Sequence, residues 1–259
     1  MSADTMSADT RMLLDIRNLS MRYPNGKLAL AGIDLNVRAG EIVVVLGSNG
    51  CGKSTLLRCV SRLQDPSGGS VTVAGCDLAG LSGEELRRAR MAVAMVFQHA
   101  NLVRRRSVAA NVCTGALGHY RDWMTMAGFL PKAERERVLT YLDAVGLAHL
   151  AEQRAGTLSG GQAQRVAISR ALAQRPKVVL ADEPVASLDP QAAEEVMGLL
   201  RRLAKVEGMA VLCVLHQPDL AARYGDRVVG MQAGSLAFDL PASEVSLSRV
   251  AHLYDRIAA

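Results

Sequence analysis

Aromatic side chains are scarce in this chain: three Phe, one Trp and five Tyr make up 3% of its 259 residues. Few rings are available to stack on a base, which gives weight to any that sits near a nucleotide motif. Cysteine is sparse as well. The five present are odd in number and contain no CxxC pair, which excludes a disulfide framework or a structural zinc site and fits a reducing compartment. Long apolar runs are missing too, since none approaches the ~18 residues of a membrane-spanning helix. The nearest candidate, residues 108–130, is interrupted by His119, Arg121 and Asp122. Any membrane role is therefore expected to pass through a partner. The first residues repeat MSADT twice without an apolar core. Residues 1–12 thus read as a disordered tail rather than a signal peptide, with Met6 as an alternative start.

Charge of either sign is also modest. The net value of +5 is that of a solvated surface with a slight basic excess, and Arg104-Arg105-Arg106 is the only tight basic triplet. No nucleic-acid partner is expected. Apolar residues, at 49%, are ample for a globular core.

Alternating segments at 13–38 flank the turn Tyr23-Pro24-Asn25-Gly26 and predict antiparallel strands. Continuous apolar runs at 41–46, 93–97, 177–181 and 211–215 predict strands buried on both faces, and 70–74, 227–231 and 235–238 predict shorter ones. Helical patterns cover 54–63, 84–90, 108–117, 132–145, 161–173 and 191–206, with a short helix after Pro218 and a closing one at 248–257. Strands alternating with helices predict a parallel α/β core. Between 98 and 157 β-branched runs disappear, so a helical insertion is expected to divide the sheet domain.

Four segments carry chemistry. Gly47-Ser48-Asn49-Gly50-Cys51-Gly52-Lys53-Ser54 fits the phosphate-loop pattern GxxxxGK[ST], with a strand before it and a helix after it. Its glycines let backbone N–H groups turn inward around phosphate oxygens, and the helix start favours negative charge. Lys53 would reach the β- and γ-phosphates and Ser54 would ligate Mg²⁺. Asp182-Glu183 closes the buried run Val178-Val179-Leu180-Ala181. Paired carboxylates are ordinarily a solvated turn. At the C-terminal end of a parallel strand, downstream of a phosphate loop, Asp182 could instead hold Mg²⁺ through water and Glu183 polarise an attacking water. His216 and Gln98 each follow an apolar strand, where either could be structural. Leu158-Ser159-Gly160-Gly161-Gln162 begins a helix. Cys51 is either a tolerated variable position or a thiol activated by Lys53 and nearby N–H groups.

In this order, over residues 13–240, the segments resemble the nucleotide-binding subunit of an ABC transporter. Residues 47–55, including Thr55, match Walker A; Gln98 the Q-loop; 158–162 the signature; 178–183 Walker B; Ser187-Leu188-Asp189 the D-loop; and His216 the switch histidine. Tyr23 falls where the family stacks adenine. The resemblance implies one ATP-binding domain over 13–259, with a RecA-like parallel-sheet core, an N-terminal antiparallel β-subdomain and an inserted helical subdomain near 99–160. It further implies a homodimer that sandwiches two ATP molecules with Mg²⁺. Each ATP would lie between the Walker A loop of one subunit and Ser159, Gly160, Gly161 and Gln162 of the other, near Asp189. Glu183 would be the general base, His216 would contact the γ-phosphate, and Gln98 would link the metal site to the helical insertion. Ala163 departs from the polar residue that often follows the signature.

The text between these motifs is similar to the ATPase of bacterial phosphonate importers: Phe97-Gln98-His99-Ala100-Asn101-Leu102-Val103, Asn111-Val112, Gly115-Ala116-Leu117-Gly118, Trp123 and Leu215-His216-Gln217. That resemblance implies a peripheral subunit at the cytoplasmic face of the inner membrane. Its partners would be two permease subunits and a periplasmic or lipid-tethered binding protein. Importers of phosphite or hypophosphite, and soluble partners of carbon–phosphorus lyase complexes, are the alternatives.

Overall fold

The computed structural model describes residues 11–120, 131–246, 250 and 253. Expectations for the tail before residue 11 and for Trp123 lie outside the described residues, as does most of the closing helix.

Two sheets organise the chain. Strand β1 (Met12–Arg22) and strand β2 (Leu28–Arg38) pair antiparallel across the turn at Tyr23, as the alternating pattern predicts. The sheet begins at Met12, so the last residue assigned to the tail is a strand residue. Strands β4 (Gly68–Val73) and β5 (Cys76–Asp77) complete this antiparallel sheet in the order β2-β1-β4-β5.

The second sheet comprises β3 (Ile42–Leu46), β6 (Val93–Val96), β7 (Val178–Asp182), β8 (Ala210–Val214), β9 (Arg227–Gln232) and β10 (Ser235–Pro241). Its order is β10-β9-β3-β8-β7-β6, with every pair parallel except β10 with β9. Every residue of β3 and β8 is buried. Because side chains alternate along a strand, each buried strand feeds two cores. Val43 and Val45 pack toward the antiparallel sheet, while Ile42, Val44 and Leu46 pack toward helices. This two-sided burial explains the unbroken apolar runs.

The helices are α1 (Lys53–Val60), α2 (Gly83–Arg90), α3 (Val108–Ala116), α4 (Lys132–Ala144), α5 (Gly160–Ala173), α6 (Pro190–Lys205) and α7 (Pro218–Tyr224). Among the described residues no strand lies between β6 and β7, and α3, α4 and α5 fill the interval. Val112, Val138, Leu142, Val166 and Ile168 from these helices share one core with the sheet. The protein is thus an α/β fold with a largely parallel core, an antiparallel β-subdomain and a helical block.

Candidate functional site

Parallel pairing brings the C-terminal ends of β3, β8, β7 and β6 to one edge of the sheet. The first three deliver the glycine loop, His216, and Asp182-Glu183, which is where open α/β sheets bind ligands.

The loop after β3 needs its glycines. Gly52 has φ +112, and a Cβ there would come within 2.5 Å of the Ala29 carbonyl oxygen. At Gly47 a Cβ would come within 2.2 Å of the Met231 carbonyl oxygen. Lys53 opens α1 and is 4% exposed. Its Nζ donates to the carbonyls of Gly47 at 2.8 Å and Ser48 at 3.0 Å, folding the ammonium back over the loop.

Next to it, Ser54 Oγ donates to Asp182 Oδ1 at 3.0 Å. Burial pushes the Asp182 carboxyl above its ordinary range despite that hydrogen bond, and the neighbouring Glu183 charge pushes the same way. Hydroxyl and carboxylate are hard oxygen donors. No group of three His, Cys, Asp or Glu able to hold a metal occurs among the described residues. A two-oxygen set suits Mg²⁺, which takes most of its shell from phosphate and water.

Glu183 has φ +51, a left-handed backbone that costs a non-glycine residue about 1 kcal/mol. Its N–H donates to the Val214 carbonyl at 3.2 Å, turning the chain out of β7 toward the end of β8. There His216 Nε2 meets Glu183 Oε1 at 2.5 Å.

A cleft of about 400 Å³ opens over the loop, lined by Tyr23, Lys27, Ala29, Asn49, Gly50, Gly52, Lys53, Ser54, Thr55 and Glu183. Tyr23 stands at its wall, with its hydroxyl 3.1 Å from Thr55 Oγ1 and donating to Gln64 Oε1 at 3.4 Å. Lys27 and Ala29 had no motif to mark them and reach the cleft through the β1–β2 hairpin, while Gln64, beyond the end of α1, meets the Tyr23 hydroxyl. A larger groove of about 950 Å³ lies among Gly40, Lys177 and Met209, at the opposite ends of the strands from this cluster.

Other sequence-predicted residues stay outside the cleft. Cys51 is buried beneath the loop, and burial raises its thiol pKa against the lowering effects of Lys53 and the backbone N–H groups. Burial thus works against the activated-thiol reading. Gln98 is exposed and does not line the cleft. Asp189 caps α6, its Oδ1 accepting from the Ala192 N–H at 2.9 Å. Ser159 caps α5: its Oγ accepts from the Gln162 N–H at 3.2 Å, and its own N–H donates to Gln162 Oε1 at 3.0 Å. This reciprocal box satisfies two orphan donors of the helix start. Gly161 is packed tightly, since a Cβ there would come within 2.7 Å of Ala192 Cβ. None of residues 158–162 lines the cleft of its own chain.

Comparison with known proteins agrees with this geometry. The family model described as ABC transporter matches residues 30–186. The Phosphonates import ATP-binding protein PhnC of Thiobacillus denitrificans is 48% identical over 244 residues, covering 94% of this chain and 93% of that protein. Its namesake from Staphylococcus epidermidis is 42% identical over 243 residues, covering 94% and 95%. Among solved structures, cbiO1 from Clostridium perfringens, part of the ABC transporter complex cbiONQ, superposes with a TM-score of 0.81 at 31% identity, covering 93% of each chain. The dimeric post-hydrolysis ATP-binding cassette MJ0796, bound to ADP and Pi, gives a TM-score of 0.78 at 31% identity over 90% of this chain and 100% of that one. With its phosphate loop, paired carboxylates and histidine on one sheet edge, the chain belongs to the ABC transporter family.

Proposed function

We propose that this chain is the ATP-hydrolysing subunit of an importer that couples ATP hydrolysis to phosphonate uptake. The ATPase reading rests on the 2.5 Å contact between Glu183 and His216 beside the Lys53 loop. The cargo reading rests on relatives carrying the phosphonate-import name over 94% of the chain.

Phosphate oxygens of ATP enter the glycine loop, where main-chain N–H groups and the α1 N-terminus favour negative charge. Lys53 Nζ exchanges the carbonyls of Gly47 and Ser48 for the β- and γ-phosphates. The ring of Tyr23 offers its face to the base. Ser54 and Asp182 are the residues that would hold Mg²⁺, whose chemistry is to neutralise charge on the phosphates. Glu183 Oε accepts the proton of the water that attacks the γ-phosphorus while the bond to the β–γ bridging oxygen breaks and ADP and phosphate leave; the His216 ring holds that carboxylate and contacts the γ-phosphate. Gln98 joins from the end of β6.

One chain holds the loop and the signature in separate places, so a second copy supplies Ser159, Gly160, Gly161 and Gln162 to complete each ATP site, with Asp189 at the seam. The homodimer works beneath two permease subunits at the cytoplasmic face of the membrane, fed by a substrate-binding protein. No helix among the described residues is long and apolar enough to cross a membrane.

The test is ATP hydrolysis by the reconstituted complex with its binding protein, comparing an alkylphosphonate, phosphite and phosphate. Greatest stimulation by the alkylphosphonate is expected. Greatest stimulation by phosphite would overturn the cargo and leave the ATPase standing.

A further inference from the structure

The residues flanking Gln98 are held through their main-chain carbonyls. The Phe97 carbonyl just before it accepts from Gln164 Nε2 at 2.9 Å. The carbonyls of Ala100 and Asn101 just after it accept from Arg170 Nη2 and Nη1 at 2.8 and 2.9 Å. Both donors sit on α5, the helix that Ser159 caps. No other element places a side-chain donor on both sides of Gln98 among the described residues.

Neither donor is a casual surface contact. Gln164 is 2% exposed, and a buried amide is costly unless its hydrogen bonds are made. Burial also works against the charged form of Arg170, yet among the described residues its hydrogen bonds go only to main-chain carbonyls, with no carboxylate to compensate. A neutral donor could satisfy one carbonyl. The guanidinium fork spans two successive ones and sets the orientation of the segment that carries Gln98. That segment turns through Asn101 at φ +49, a conformation that needs support from its surroundings. The helix giving the support is itself firmly seated: a Cβ on Gly115 of α3 would lie 1.9 Å from the Arg170 carbonyl oxygen.

We propose that Gln164 and Arg170 are positioning residues for Gln98, fixing its segment against the signature helix. This rests on the proposed role of Gln98 in ATP hydrolysis.

The experiment is a double-mutant cycle in the full transporter complex, reading kcat, the KM for ATP and the thermal midpoint. Gln164→Leu keeps the volume and removes the donor; Arg170→Met does the same at the second anchor. Each single change is expected to lower kcat by about tenfold with KM changed by less than about twofold, because neither side chain touches the phosphate loop. In a Gln98→Ala background the same changes should lower kcat no further, since a residue acting through Gln98 has nothing left to position. Arg170→Lys, which keeps a cationic donor, should recover part of the rate. An unchanged kcat in the singles, or a full additional loss in the Gln98→Ala background, would overturn the proposal. If Gln98→Ala alone leaves turnover intact, the role of Gln98 fails first and is recognised separately. Should Gln164→Leu not fold, the Arg170 cycle decides alone.

Discussion

His216 Nε2 lies 2.5 Å from Glu183 Oε1, and the contact joins the ends of two neighbouring parallel strands. The left-handed backbone of Glu183, φ +51, turns its side chain across from β7 to meet the histidine. A strained residue at a sheet edge persists only when its surroundings hold it, here through the Glu183 N–H to the Val214 carbonyl.

Replacing Glu183 by Gln keeps the shape and removes the carboxylate proposed as the base. Turnover should fall by about 10²-fold or more while ATP binding persists and closed dimers accumulate. Phosphate release and size-exclusion chromatography with ATP measure the two effects. Substantial hydrolysis by the variant with an intact permease would sink the general-base assignment.

Asp182 carries a pH signature. Its folded pKa is raised by burial, so ionisation works against the fold. That penalty is absent in acid, grows as pH rises past the ordinary carboxylate value near ~3.9, and is complete above the raised folded value. Asp182→Asn should therefore raise the thermal midpoint at neutral pH, lose the gain as pH falls toward about 4, and abolish hydrolysis. A gain independent of pH would contradict the sign.

The signature helix packs against α6 through Gly161 and Ala192. With a Cβ at Gly161 landing 2.7 Å from Ala192 Cβ, Gly161→Ala should destabilise by about 1–3 kcal/mol. Adding Ala192→Gly should restore most of that in urea unfolding. Failure of the second change to rescue would show that the glycine serves something other than close packing.

Ser159 sits on the exposed start of α5. Ser159→Arg should leave ATP affinity of a single chain unchanged within about twofold and abolish hydrolysis that depends on the dimer. Equilibrium nucleotide binding beside steady-state turnover separates the two. Weakened binding in the isolated chain would place Ser159 in its own ATP site instead.

Cysteine labelling should follow burial. Cys76 is exposed, Cys51 is buried with a raised pKa, and Cys59 is buried and pushed up to about 11. A maleimide at neutral pH should modify Cys76 first, and Cys51 faster as pH rises, because the thiolate is the nucleophile. Peptide mass spectrometry follows each site. Once modified, Cys51 should block ATP binding, since an adduct beneath the loop displaces it.

Much of the site was legible in residue order. A buried apolar run followed by glycines and Lys53, another followed by Asp182-Glu183 and a third followed by His216 mark strand ends, because only strands buried on both faces lose their alternation. The helix after Ser159 was equally plain. Cys51 was ambiguous because reactivity depends on burial, which spacing does not encode. Lys27 carried no signal, since its place at the cleft comes from a hairpin brought against the glycine loop in space.

By itself, the order of residues determined that β3, β7 and β8 are buried strands, that the loop at Gly47 follows the phosphate-loop pattern, and that Ser159 starts a helix. These are local matters of periodicity, glycine placement and capping. Only the tertiary structure decided which strand ends are neighbours, and so which carboxylate meets His216. It also decided that Cys51 lies beneath its loop, that the signature lies outside its own cleft, and that Gln164 and Arg170 grip the segment of Gln98. Each depends on contacts between residues far apart in the chain, and sheet order and helix packing set those distances.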